Sequence, residues 1–157
     1  RSRPARRCRR ACSPIGAAWR HRATASSDPT AASTLILVDT SIWVDHFRRR
    51  DDRLARLLDD RKISMHPFVA GELAVGNLRN RDEILLMLNS LPATAMASHE
   101  EALCFISNFS LAGRGLGYID IHLLAAVSLT PETLLWSKDK RLNAVAESLS
   151  IPMVLTP

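Results

Sequence analysis

Four carboxylates in this sequence stand apart from the other acids by where they sit. Asp39 closes the run Leu35-Ile36-Leu37-Val38, and Glu72 interrupts Phe68-Val69-Ala70-Gly71 and Leu73-Ala74-Val75. Asp120 is the only acid between Glu101 and Glu132, flanked by Ile119 and Ile121, while Asp139 follows Leu134-Leu135-Trp136-Ser137-Lys138. Most other acids come as neighbours in polar sequence, namely Asp51-Asp52, Asp59-Asp60, Asp82-Glu83 and Glu100-Glu101, the pattern of a solvated face. Asp45, between Val44 and His46, reads as the exposed side of a short helix. A carboxylate in apolar surroundings is rarely buried unless it is paired or bound to a cation.

Should the four converge, they repel: two unit charges ~4 Å apart at an effective dielectric of ~20 cost about 4 kcal/mol. A divalent cation removes that cost. Carboxylate oxygens without His or Cys partners favour Mg²⁺, or Mn²⁺, over Zn²⁺. Such an ion acidifies a bound water, orients it toward phosphorus and stabilises charge on the leaving oxygen, so phosphodiester hydrolysis is the chemistry to expect. Each acid also has a plain structural reading. Asp39 and Asp139 suit helix caps, and Glu72 or Asp120 could answer a buried Arg.

The elements that must hold these residues alternate short apolar runs with helical patterns, which points to β-α units and a parallel sheet. Strands are expected at Leu35 to Val38, Ile63 to Met65, Ala93 to Ala97, Thr133 to Trp136 and Met153 to Leu155. Helices are expected over Ser41 to Phe47, Asp52 to Leu58, Phe68 to Asn77 after Pro67, Asp82 to Leu88, Ser98 to about Leu111, Ile119 to Leu129, and Arg141 to Leu149. Ser98 and Glu101 form a capping-box signature. The expected fold is a three-layer α/β/α sandwich with a five-stranded, mostly parallel sheet. Such sheets bind ligands beyond the carboxyl ends of their strands, and Asp39 and Asp139 follow two of those ends.

Charge gives less support than it first promises. The 157 residues carry 21 Lys and Arg against 16 Asp and Glu, a net +5. Eight of those Arg lie in residues 1–34 with one acid, Asp28, which leaves thirteen basic and fifteen acidic residues in the remainder. Residues 1–34 are rich in Arg, Ala and Ser, lack apolar periodicity and read as a disordered basic tail. Translated upstream sequence, an organellar transit peptide and a nucleic-acid-binding arm all fit it. The folded domain is expected over 35–157. Three cysteines without a disulfide framework suit a reducing cytosol, and no apolar run approaches the ~20 residues that span a bilayer. A cytoplasmic protein is expected.

Four segments together resemble the PIN-domain nucleases, most closely the VapC toxins of bacterial toxin–antitoxin pairs. Val38-Asp39-Thr40-Ser41 is similar to that family's opening strand and first acid, and Gly71-Glu72-Leu73-Ala74-Val75-Gly76 to its second-acid helix. The Gly-rich approach Gly113-Arg114-Gly115-Leu116-Gly117 before Asp120 and the segment Trp136-Ser137-Lys138-Asp139-Lys140-Arg141-Leu142 complete the likeness over about residues 35–157. The resemblance implies a Mg²⁺-dependent endoribonuclease acting on RNA, a homodimer, and a cognate antitoxin that covers the site. It makes Asp39, Glu72, Asp120 and Asp139 the metal-binding, catalytic acids, and gives Thr40 or Ser41 a hydrogen bond to a ligand or to the first acid. Many relatives carry a further acid after the last motif, where this chain has Lys140 and Asn143, so the resemblance leaves open whether one metal or two would bind. An RNA-processing PIN nuclease without an antitoxin and a non-catalytic RNA-binding module are the alternatives.

Cations near the acids are the candidates for RNA phosphate. Arg114 lies beside glycines, and Lys138, Lys140 and Arg141 flank Asp139. Arg48-Arg49-Arg50, Arg53 and Arg56 read as a solvated charge run. His122, Trp43 and Trp136 read as structural.

Overall fold

The computed structural model describes residues 34–154, so the expected tail, apart from Thr34, and the end of the last expected strand lie outside the described residues. Among the described residues three strands form: β1 (Leu35–Val38), β2 (Ile63–Ser64) and β3 (Thr133–Trp136). They make one parallel sheet in the order β2-β1-β3. In the central strand, Leu37 and Val38 are fully buried, which is why β1 reads as a continuous apolar run rather than an alternating one. The two other expected strands appear as single parallel bridges, Met65 with Ala93 beside β2 and Leu135 with Met153 beside β3.

Among the described residues, seven helices join these strands. They are α1 (Thr40–Arg48), α2 (Asp52–Asp59), α3 (Pro67–Val75), α4 (Arg81–Ser90), α5 (His99–Asn108), α6 (Tyr118–Leu129) and α7 (Lys140–Ser148). Their ends obey the chemistry of orphaned backbone amides. Asp51 caps α2 by accepting from Arg53 N and Leu54 N, and Ser98 caps α5 while Glu101 returns a bond to Ser98 N. Pro67 occupies the first turn of α3, behind His66, whose Nδ1 accepts from Phe68 N at 3.1 Å.

Helix α6 is apolar on all sides, and seven consecutive residues from Ile121 to Val127 are buried. A helix with no polar face belongs inside the molecule. It shares the core with Trp43 of α1, Leu73 of α3, Phe105 of α5 and Leu142 of α7.

The parallel register brings the chemistry to one edge. Val38 pairs with Trp136, so both central strands end together and their chains leave side by side. From β1 the chain crosses to β2 on one side and later returns to β3 on the other, so the strand order reverses between β1 and β3. That is where an open α/β sheet leaves a crevice for a ligand.

Candidate active site

Asp39 leaves β1 where β3 also ends, and its backbone N donates to Trp136 O at 2.9 Å. It sits at the cap position of α1 but makes no capping bond from its side chain. Instead Oδ2 accepts from two hydroxyls, Ser41 Oγ at 2.6 Å and Ser137 Oγ at 2.8 Å, and the residue is 8% exposed. Ser137 is itself buried and accepts from Asp139 N at 2.9 Å, which joins the first acid to the loop of the last. Ser41 Oγ accepts from Lys138 N at 3.3 Å and closes a second link between the same segments.

Asp139 is a helix cap as well as a candidate acid. Its Oδ1 accepts from Arg141 N at 2.7 Å and Leu142 N at 3.1 Å in the first turn of α7. Asp120 lies in the first turn of α6, where Oδ2 accepts from Gly117 N at 2.7 Å. Glu72 projects from α3 and its Oε2 accepts from Thr40 Oγ1 at 2.5 Å. The apolar sequence around Glu72 suggested burial, yet the side chain is exposed. The buried positions of α3 are Val69 and Leu73, so Glu72 points outward from a helix whose other face supplies the core.

Each of the four carboxylates therefore has one oxygen held by this chain and one without a protein hydrogen bond among the described residues. They also share a field. Burial raises the Asp120 carboxyl above the usual range, its bond from Gly117 N opposes that rise, and the charges of Asp39, Asp139 and Glu72 push it up further. That repulsion is what a cation would relieve. Among the described residues no three His, Cys, Asp or Glu side chains stand as a formed metal-binding group, so the acids are neighbours without a closed coordination shell. The donor set fits a hard divalent ion, being all oxygen with no thiol or imidazole among it.

The expected phosphate contacts fare differently. Lys138 turns away and binds Asp45, Nζ to Oδ2 at 2.6 Å, which holds the Asp45 carboxyl below its usual range. Arg114 reaches Ser148 Oγ at 3.3 Å, at the far end of α7. The Arg141 side chain lies over Gly115, where an added Cβ would come within 3.3 Å of it, and Gly115 has the left-handed φ of 75° that glycine tolerates. Arg53 packs over the Trp136 ring at 5.1 Å rather than facing solvent alone. Trp43, Trp136 and His122 are buried.

Sequence reasoning missed Ser137 as a hinge between two acids. Its signal was a hydroxyl two residues before Asp139, mirroring Ser41 two residues after Asp39.

Residues 36–148 match the model of the PIN domain family. The chain is 44% identical over 115 residues to the protein called Ribonuclease VapC32 of Mycobacterium tuberculosis, in strain CDC 1551 / Oshkosh and equally in strain ATCC 25618 / H37Rv. The shared stretch covers 73% of this chain and 93% of each relative. A parallel sheet with acids gathered at its carboxyl edge, matched across its length, assigns the chain to the PIN domain family, among the VapC ribonucleases.

Proposed function

We propose that this protein is a Mg²⁺-dependent endoribonuclease, with Mn²⁺ as a substitute, and the toxin of a toxin–antitoxin pair. The observation that carries the site assignment is that four carboxylates each keep one oxygen pinned and one open, within one mutually repelling group. Asp39, Glu72, Asp120 and Asp139 would hold the ion. When bound, the ion supplies a water of lowered pKa and positive charge beside the phosphate.

The chain's own residues do the rest. Ser41 and Ser137 fix the Asp39 carboxylate, and Thr40 fixes Glu72, so four acids meet an incoming cation without first losing side-chain freedom. Helices α6 and α7 point their N-termini toward Asp120 and Asp139, and the backbone amides there favour negative charge nearby. Arg114, Lys138 and Arg141 would have to release their present contacts to reach RNA phosphate. Thr40 and Ser41 act on substrate only through the acids they hold.

The finer architecture follows the same reading. The bridges at Ala93 and Met153 support a reading of outer strands in a five-stranded sheet between helical layers, with the nuclease unit over 35–157 and residues 1–34 dispensable. The large apolar side chains Val75 and Leu86, 90% and 75% exposed, support a homodimer or an antitoxin against α3 and α4. Among the described residues no helix is long and apolar enough to cross a membrane, and the proposed RNA substrate and antitoxin suit the cytoplasm.

The test is cleavage of single-stranded RNA by the purified chain. We expect cleavage with Mg²⁺, loss with EDTA, and loss in Asp39→Asn while its circular dichroism stays native. Cleavage that survives both treatments would remove the four-acid assignment.

A further inference from the structure

Glu72 has a second neighbourhood. Residues of α1, α3, the segment before α4 and Ile84 of α4 line a cavity of about 590 Å³ whose wall includes Glu72. Its lining is apolar through Phe47 and Leu78, and polar through Arg48, Asn77 and Arg79. Phe47 is a fixed wall, because its ring stacks on the buried Trp43 at 5.7 Å with planes 27° apart. Arg48 and Arg79 are exposed and make no salt bridge or side-chain hydrogen bond among the described residues. Asp45, whose carboxyl Arg48 helps to lower, is already held by Lys138. These cations thus remain available, whereas Lys138 and Arg114 are held by Asp45 and Ser148 and the Arg141 side chain packs over Gly115.

We propose that this cavity is a nucleotide subsite of the cleavage site: a base of single-stranded RNA, flanking the bond cut beside Glu72, enters between Phe47 and Leu78, with Arg48 and Arg79 on its phosphates and Asn77 on its edge. The proposal rests on the ribonuclease reading above. Three observations point to RNA rather than another occupant. The cavity shares the Glu72 wall with the acids, so a strand crossing them runs into it. Its volume falls within the roughly 300–1,000 Å³ of small-ligand sites, ample for a base. Two guanidiniums without a salt bridge among the described residues, in a lining that also offers Phe47, Leu78 and Ile84, match the alternation of phosphate and base along a single strand. Asn77, with both a donor and an acceptor, is the group able to discriminate one base from another.

The experiment uses the full chain with Mg²⁺ and two random-sequence RNA pools, one of trinucleotides and one of longer oligonucleotides, each also prepared with 5-iodouridine for photocrosslinking. In the double variant Arg48→Ala, Arg79→Ala the KM for the longer pool should rise by about tenfold, and the log–log salt dependence of KM should flatten by about 1.4, as two lost single-strand phosphate contacts require. The loss should be smaller on trinucleotides, and Lys at both positions should restore part of it. Asn77→Ala should shift the base found beside the cut. Arg50→Ala, in the exposed pair with Asp52 outside the cavity, should change none of these. Crosslinks should map to Phe47 or Leu78.

An unchanged KM and salt slope in the double variant overturns the subsite, as do crosslinks elsewhere, a fall in kcat alone, or a cavity that binds an acidic protein segment but no RNA. If the wild-type chain cleaves no RNA, the ribonuclease reading fails, and the crosslink map still decides whether RNA occupies the cavity.

Discussion

Two regions of this molecule place titratable side chains inside apolar sequence, and they treat them in opposite ways. At the carboxyl edge of the sheet, Asp39, Glu72, Asp120 and Asp139 are each tethered by one oxygen to a nearby hydroxyl or amide and left open at the other. Beside α6, His66 and His122 are sealed: they are 0% and 1% exposed, ring to ring at 6.0 Å, with Phe68 and Tyr118 each 4.6 Å from His122. His66 accepts one bond, from Phe68 N, and His66 Nε2 and both nitrogens of His122 have no hydrogen-bond partner among the described residues. A polar residue in an apolar run therefore announces only that something is unusual. Whether it belongs to a site depends on what its remaining lone pairs face.

The largest effect that would break the comparison comes from the acids. Asp120→Asn keeps the oxygen that accepts from Gly117 N but removes the charge, and we expect RNA cleavage to fall by more than roughly 100-fold with little loss of stability. Steady-state kinetics alongside thermal melting checks this. Activity near wild type would place Asp120 with the structural caps.

Ser137→Ala comes next. It deletes the hydroxyl that accepts from Asp139 N and donates to Asp39 Oδ2. Groups that orient a metal ligand typically change affinity or activity by about 10–100-fold, and we expect that range here, with a raised Mg²⁺ requirement. A Mg²⁺ titration of the rate separates it from simple destabilisation, which would leave the half-saturating Mg²⁺ concentration unmoved.

The sealed region predicts pH sensitivity of stability instead. Burial, with a contribution from the His122 charge, lowers His66 to about 4, and burial lowers His122 as well. An unfolded His near 6.5 binds a proton that folded His66 refuses, so this stability is fully present above about pH 6.5 and is lost as pH falls toward about 4. The expected loss from His66 between about pH 7 and about pH 5 is roughly 2 kcal/mol. Urea unfolding across that range measures it, and His66→Asn, which keeps a capping acceptor for Phe68 N, should flatten the dependence. A stability that rose on acidification would contradict the burial account.

Smallest is Lys138→Ala. Its bond to Asp45 is half exposed, and solvent screening leaves such a pair only a small part of the effect expected at His66. Chemical denaturation should register no more than that.

Much of this was legible in the sequence. The Leu35 to Val38 run, the Ser98–Glu101 capping box and the apolar girdle of α6 follow from periodicity and cap chemistry, and the structure has all three, although α5 ends at Asn108, three residues before the expected Leu111. The outer strands were legible only in part. Ala93 and Met153 make single bridges, because an edge segment with one neighbour gains little pairing from its own side chains. The acids stood out by context, but their surroundings did not. Glu72 proved exposed, since a helix can keep one face for solvent while its sequence looks apolar throughout. Long cations were least legible of all: Lys138 and Arg114 sit near the acids in the chain yet extend to Asp45 and Ser148, because several rotatable bonds decide where such a charge ends. Arg48, which lines the cavity beside Glu72 together with Arg79, read as part of a solvated charge run.

The central claim is that the four open carboxylate oxygens act together on one cation. Titration of the purified chain with Mn²⁺, followed by electron paramagnetic resonance of the free ion, tests it without any substrate. We expect binding by the wild-type chain that weakens by more than roughly 10-fold in each of Asp39→Asn, Glu72→Gln, Asp120→Asn and Asp139→Asn, and that is unchanged in His66→Asn. Mn²⁺ binding that is indifferent to these four substitutions, in variants that remain folded, would contradict it.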